Sequence, residues 1–395
     1  MPPLYIADVT VFDGARVRKR QGILVDGGRI GWVGAHARAP REARAARSVE
    51  GAGRTLTPGL IDCHVHLNFD GNADFAAEAT SLDDALGAVK GVANLRRHLE
   101  AGVTTVRDLG GVGTCQLAAA VDAGVVPGPR LIASGRALTI TGGHGHNVGF
   151  AREVDGPDEA RKAVREEIKA GARSIKVVAT GGVLTPGIPV SFTAMTTDEL
   201  SAVVDEAHTW GRRVAAHAIG ADGVERAVRT GVDSVEHCNQ LTVTGAREMV
   251  ARGTYRGPTL CAVRGLVDHL ETVPAYAGEK ALSVYDDSER AMGRALRAGV
   301  RHVVSTDAGT PFNPHGSAWR EVGFLIEWGM SPIQALTAAT ATGAESLGLD
   351  DVGWVRAGYV ADLALWDGDP LDDPALLAGR PRVWRAGTRV SATRG

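Results

Sequence analysis

From Leu56 onward the chain alternates short β-branched runs with amphipathic segments, and this alternation restricts the fold more than any other feature. Strand candidates lie at 57–66, 104–108, 130–133, 174–178, 213–217, 234–237, 255–260 and 302–307. Helical patterns are predicted between most of them, at 82–101, 158–170, 197–210, 220–230 and 288–298. Several end at a glycine (Gly102, Gly171, Gly211, Gly231, Gly299), the residue that most readily takes the left-handed conformation closing a helix. Alternating strands and helices indicate a parallel sheet, and eight such units predict an α/β fold of the (β/α)8 TIM-like barrel type. A doubly wound open sheet is the alternative, but no GxGxxG opens a first helix.

The flanks differ. Residues 4–56 read as short strands and turns, with a hairpin signal at Gly27-Gly28 and a helix of any length only at 41–47. Residues 331–347 read as a helix behind Ser331-Pro332, a good N-cap and first-turn pair. From Gly353 to Trp366 the β pattern returns. We expect a small β-sandwich domain built from both chain termini: 1–56 and 349–395 around a barrel at 57–348.

Composition limits the function classes. A formal net charge of -3 offers no broad basic field for nucleic acid. No apolar run approaches the ~18 residues of a membrane span, and Met1-Pro2-Pro3-Leu4-Tyr5 lacks the basic start and apolar stretch of a signal peptide. Cys63, Cys115, Cys238 and Cys261 are scattered without CxxC spacing, which suits reduced thiols. These features predict a soluble cytoplasmic protein without nucleic-acid or membrane partners.

Chemistry in such a barrel sits at the C-terminal strand ends. His64 and His66 are two residues apart on the first strand, so they share a face and can grip one metal ion. Lys176 lies in the fourth strand, His217 ends the fifth, His237 the sixth and Asp307 the eighth. Each alone has an ordinary structural explanation. Together they place six metal-competent side chains at one end of five strands.

This order, HxH, Lys, His, His, Asp, behind Thr57-Pro58-Gly59-Leu60-Ile61-Asp62, resembles the binuclear members of the amidohydrolase superfamily. The resemblance covers nearly the whole chain. It implies that His64, His66 and Asp307 hold one divalent ion and His217 and His237 a second, with zinc the expected metal. Lys176, carboxylated on its amine, would bridge them. A lysine between apolar neighbours is pushed toward the neutral amine that carboxylation requires. Two ions sharing a water bring its pKa toward neutrality, which readies it to attack a carbonyl carbon. Asp307 is positioned to act as general base and then acid. Gly142-Gly143-His144-Gly145-His146 after the third strand and Thr180–Gly187 after the fourth resemble a subgroup of the superfamily. That subgroup contains Xaa-Pro dipeptidases, arginine carboxypeptidase-like enzymes, ochratoxin-hydrolysing amidases and imidazolonepropionase-like proteins. The resemblance assigns His144 to the substrate carbonyl; His146 fits a substrate or a loop-packing role.

One position departs from the pattern. Dipeptidase-like members often place Tyr or His where Ile219 stands, to hold a substrate carboxylate, and Ile219 cannot hydrogen-bond. Arg264 after the seventh strand is the candidate clamp in its place, and His315 after the eighth is a candidate contact at the site mouth. The expectation is a metal-dependent hydrolase of an amide-type C–N bond, forming a homo-oligomer as relatives commonly do. A dipeptidase or carboxypeptidase, a lactonase or carbamate hydrolase, and a non-catalytic assembly protein are the alternatives. Deaminase relatives usually lack the bridging lysine, so Lys176 counts against that class.

Overall fold

The computed structural model describes residues 2–391. At the N-terminus Leu4–Phe12 pairs antiparallel with Val17–Asp26, which pairs with Arg29–Ala35. Asp26 faces Arg29 across a two-residue turn, and both central residues, Gly27 and Gly28, have positive φ (56° and 81°). That is the hairpin turn whose twist matches its strands, and it calls for glycine at both places.

Arg54–Pro58 lies beside Leu4–Phe12 and also pairs antiparallel with Leu363–Asp367, so the two ends of the chain join in one eight-stranded sheet. Its apolar face packs Ile6, Val11, Ile23, Leu56, Leu363 and Trp384 into a core of its own. The 41–47 segment is a single 3-10 turn, Arg41–Arg44, running into the strand Arg47–Glu50 rather than a helix. Within 353–366 only Leu363–Asp367 is strand.

The barrel begins with Leu60–Val65, Val103–Asp108 and Arg130–Ala133 in parallel register. A second ladder carries Ala137–Thr139, Ser174–Val178, Arg213–Ala218, Ser234–His237 and Tyr255–Gly257. The third barrel strand is interrupted: Ala133 accepts from Arg173 N (2.8 Å), and after the break Leu138 pairs with Val177. The eighth position is an irregular extended segment, 302–308, that bonds to both neighbours. Val303 N donates to Arg256 O (3.0 Å), and Cys63 N and His66 N donate to Val304 O and Ala308 O (both 2.8 Å). These bonds close the (β/α)8 barrel.

Helices follow the apolar periodicity, with local differences. The helix expected from 288 runs Ala275–Ala298; Ser288 is interior and its hydroxyl donates to Val284 O, so it does not cap a start. The strand expected at 255–260 stops at Gly257, and Leu260–Val267 is helical. The helix expected at 331–347 divides into Pro332–Ala338 and Ala341–Ser346, broken at Thr340 (φ −137°, ψ −91°). Ser331 and Gln334 form the capping box that opens it. Thr114–Asp122, Val243–Arg252 and Ala318–Glu327 are helices that the apolar periodicity did not single out. All four cysteines are buried and free. No helix among the described residues is long and apolar enough to cross a membrane.

Candidate metal centre and active site

His64, His66 and Asp307 converge, their ligand atoms all within 4.8 Å of one another. Asp307 Oδ1 lies 3.3 Å from His64 Nε2 and 3.2 Å from His66 Nε2. This oxygen is buried without a hydrogen-bond partner. Lys176 Nζ is 3.5 Å from His64 Nε2, and that is its one polar contact among the described residues. The rings of His217 and His237 are 4.5 Å apart, those of His64 and His237 5.5 Å, and those of His144 and His217 4.6 Å. All seven side chains line a single cavity.

Each of the four ring pairs of nitrogens has an outer member turned to a protein oxygen. His64 Nδ1 lies 3.3 Å from Glu236 Oε2, close to it but without a hydrogen bond. His66 Nδ1 is 3.0 Å from Gly110 O and His217 Nε2 3.0 Å from Gly181 O. Carbonyls only accept, so the facing nitrogen carries the hydrogen. At His237, Nδ1 is 2.7 Å from Thr259 Oγ1, whose own hydrogen goes to Pro258 O (2.8 Å); again the imidazole donates. The remaining nitrogens of His66, His217 and His237 are therefore lone-pair donors, the arrangement in which outer partners fix metal-ligating histidines. The donor set, imidazoles with a carboxylate whose Oδ1 is orphaned, suits a divalent ion such as zinc.

Electrostatics agree with that arrangement. Burial, then neighbouring cationic groups, hold His64, His217 and His237 well below the ordinary imidazole range. Burial pushes His144 down to about 3 and the Lys176 ammonium down to about 8. At His66 burial also opposes protonation, but the adjacent Asp307 outweighs it and raises the pKa, so an ion there competes with a proton. For Asp307 burial opposes ionisation and His64 and His66 favour it, with the carboxyl held below its usual range.

The backbone is bent to make this site. His237 (φ 69°), Thr259 (φ 51°) and Asp307 (φ 59°) all occupy the left-handed region, which is costly for residues other than glycine. Asn313 holds Asp307 there, its Nδ2 donating to Thr306 O (2.7 Å) and Asp307 O (2.9 Å). His144 is set by Thr185, whose Oγ1 is 2.7 Å from Nδ1, and by Gly182 beneath the ring. A Cβ at Gly182 would lie 2.3 Å from His144 Nε2, so only glycine lets the loop come this close.

Two expected substrate contacts lie outside the cavity lining. Arg264 is on the helix Leu260–Val267, not in a loop, and its guanidinium engages Tyr285 Oη (2.9 Å) and Asp268 (3.3 Å) outside the cavity lining. His315 is buried behind the site, between His98 Nε2 (2.9 Å) and Phe69 O (2.8 Å), and does not line the cavity either. Ile219 does line it. His146 is exposed, with Nδ1 2.8 Å from Gly143 O, which is a loop-packing position.

Supporting residues to which the sequence assigns no role are Glu236, Arg107 and Asp62. Arg107 gives its Nη2 to Glu236 Oε1 (2.7 Å) inside the barrel. Asp62, whose carboxyl burial pushes up to about 7, takes Thr306 N (3.0 Å) and Thr306 Oγ1 (2.6 Å), one residue before Asp307. The available signal was a charged residue inside each of three candidate barrel strands.

With this geometry in view, similarity to known proteins is informative. The amidohydrolase family model matches residues 55–390. Ochratoxinase of Aspergillus niger is 32% identical over 394 residues, spanning 91% of this chain and 80% of that protein. Imidazolonepropionase of Salinispora arenicola is 29% identical over 395 residues, 93% and 90% of the two chains. Among solved structures, a Xaa-Pro dipeptidase with methionine bound in its active site superposes with a TM-score of 0.91. It is 29% identical and covers 99% of this chain and 100% of its own. The match along most of the chain, to the family model and to these full-length relatives alike, makes this protein a member of the amidohydrolase family.

Proposed function

We propose that this protein is a binuclear metal-dependent hydrolase cleaving an amide-type C–N bond of a small molecule. The observation that carries the reading is the convergence of His64, His66, Lys176, His217, His237 and Asp307 on one cavity, with His144 on its wall. His64, His66 and Asp307 would hold one divalent ion, zinc being the expected metal, and His217 with His237 the other. Such ions supply a Lewis acid for the substrate carbonyl and acidify a water toward neutrality. Lys176 is the proposed bridge. Burial outweighs the nearby Glu236 and Asp307 carboxylates and pushes this amine, whose one hydrogen bond among the described residues is to an imidazole nitrogen, toward its neutral form, which supports its conversion to an anionic carbamate.

The chain's own residues would divide the remaining work. Asp307, kept ionised by its histidine neighbours, takes the water proton at its carboxylate and returns it to the leaving nitrogen. His144, neutral and held by Thr185, orients the substrate carbonyl by a hydrogen bond. The apolar lining excludes water, which strengthens both interactions. The relatives named for hydrolysis of ochratoxin and of Xaa-Pro dipeptides support amide chemistry here. Turnover of the metal-loaded protein on N-acyl amines, N-acyl amino acids, dipeptides, carbamates and lactones tests the reading. Amide or carbamate cleavage is expected; lactones as the sole substrates, or no turnover on any class, would reject it.

A further inference from the structure

We propose that the substrate of this site carries uncharged, apolar groups on both sides of the scissile bond, as in a neutral N-alkyl or N-aryl amide or carbamate. This deepens the hydrolase reading and rests on it. Beyond the metal-centre residues and His144, the cavity lining contains no cation among the described residues. One apolar wall, Phe75, Val148 and Phe150, adjoins His66 and His144, whose rings lie 5.3 and 6.3 Å from that of Phe150. A separate apolar cluster of Ile219, Val263 and Val284 forms another wall, next along the chain from His217. Apolar surface on two clusters gives an acyl chain and a leaving group each a place to exclude water.

The hydroxyls of the lining are committed to the protein: Thr185 serves His144 and Thr310 Oγ1 donates to Asp307 O (2.7 Å). Asn239 Nδ2 donates to Ser288 Oγ (2.7 Å), and its Oδ1 is a buried acceptor without a partner among the described residues, which offers no counter-charge to a carboxylate. The cations on surrounding helices are committed as well. Arg264 is engaged by Tyr285 and Asp268 and lies over the Phe324 ring at 5.6 Å. Lys280 directs Nζ to three backbone carbonyls, Gly182 (3.1 Å), Thr185 and Ile188 (both 2.6 Å). An ammonium has three hydrogens, so Lys280 has none left for a ligand. Its role is to hold the loop that presents Val183 and Leu184 to the cavity. A substrate carboxylate placed against these walls would lose its hydration and gain no counter-charge.

A matched pair isolates the carboxylate: N-hexanoyl-phenethylamine and N-hexanoyl-phenylalanine differ in that group alone. Binding by calorimetry and turnover would be measured with the metal-loaded enzyme. We expect the neutral amide to be favoured by at least about tenfold in kcat/KM, and to bind more tightly. Ile219→Arg, checked for an unchanged melting temperature, should narrow or reverse that preference. Equal or better binding and hydrolysis of the acid by the wild type, or binding of neither compound, would overturn the proposal. Tighter binding of the neutral amide without turnover would uphold the substrate class and reject the hydrolase reading instead.

Discussion

His64 Nδ1 lies 3.3 Å from Glu236 Oε2, and both side chains are fully enclosed by the barrel. The other oxygen of the same carboxylate takes Arg107 Nη2 and Ser234 Oγ, each at 2.7 Å. Room for this carboxylate comes from Gly257, where a Cβ would sit 2.3 Å from Oε2. The imidazole of His64 is thereby turned so that Nε2 faces Asp307 and Lys176. Losing such an outer partner typically weakens metal binding by about 10–100-fold. We expect Glu236→Gln to do so in chelator competition, with less change in the fold than Arg107→Met. The latter strands a buried carboxylate, at a cost of about 3–5 kcal/mol, and should lower the melting temperature sharply. Wild-type metal affinity in Glu236→Gln would show that the contact orients nothing.

Lys176→Ala removes the proposed bridge. The variant should lose most of its metal and activity, and small carboxylates such as acetate or propionate should restore part of both by standing in for the carbamate oxygens. Diffraction density for an unmodified ammonium beside two bound ions would contradict the bridging role.

Glu321 gives a pH signature. Its buried carboxylate accepts Leu260 N and Cys261 N, both at 2.9 Å, at the start of the helix carrying Val263 and Leu266. Burial pushes its pKa up to about 7. The folded chain therefore keeps a proton that an unfolded glutamic acid releases near pH ~4.3. Stability from this group is present at low pH and declines as pH rises from about 4.3 toward 7. Glu321→Gln should lack that decline. Its melting temperature, measured against wild type from about pH 5 to 8, should improve relative to wild type as pH rises. A constant difference across the range would refute the shifted carboxyl.

Lys280→Met withdraws three hydrogen bonds from the loop behind Thr180. Faster amide exchange across residues 182–188 is expected, with KM for apolar substrates raised several-fold and kcat less affected. Unchanged exchange in this loop would mean that the lysine does not hold it.

Much of the architecture was legible because period-two strands and period-3.6 helices leave separate marks, and because glycine closes helices visibly in sequence. His64 and His66 could be placed on one face from spacing alone. Glu236 and His237 could not. Strict alternation sends neighbours to opposite faces, yet both lie against His64, because His237 (φ 69°) turns back at the strand end. The same bend at Thr259 (φ 51°) ends the seventh strand early and starts a helix. That helix carries Arg264 away from the cavity to Tyr285, a long-range pairing no local pattern encodes. Arg107 and Glu236 form a buried pair 129 residues apart in sequence, which only the closed barrel brings together.

Metal stoichiometry tests the central claim most directly. Elemental analysis of the freshly purified protein, and again after reloading with zinc and removal of excess, should give close to two divalent ions per chain. His217→Ala should leave close to one, since His64, His66 and Asp307 remain. A wild-type value of one or none after reloading would contradict the binuclear centre.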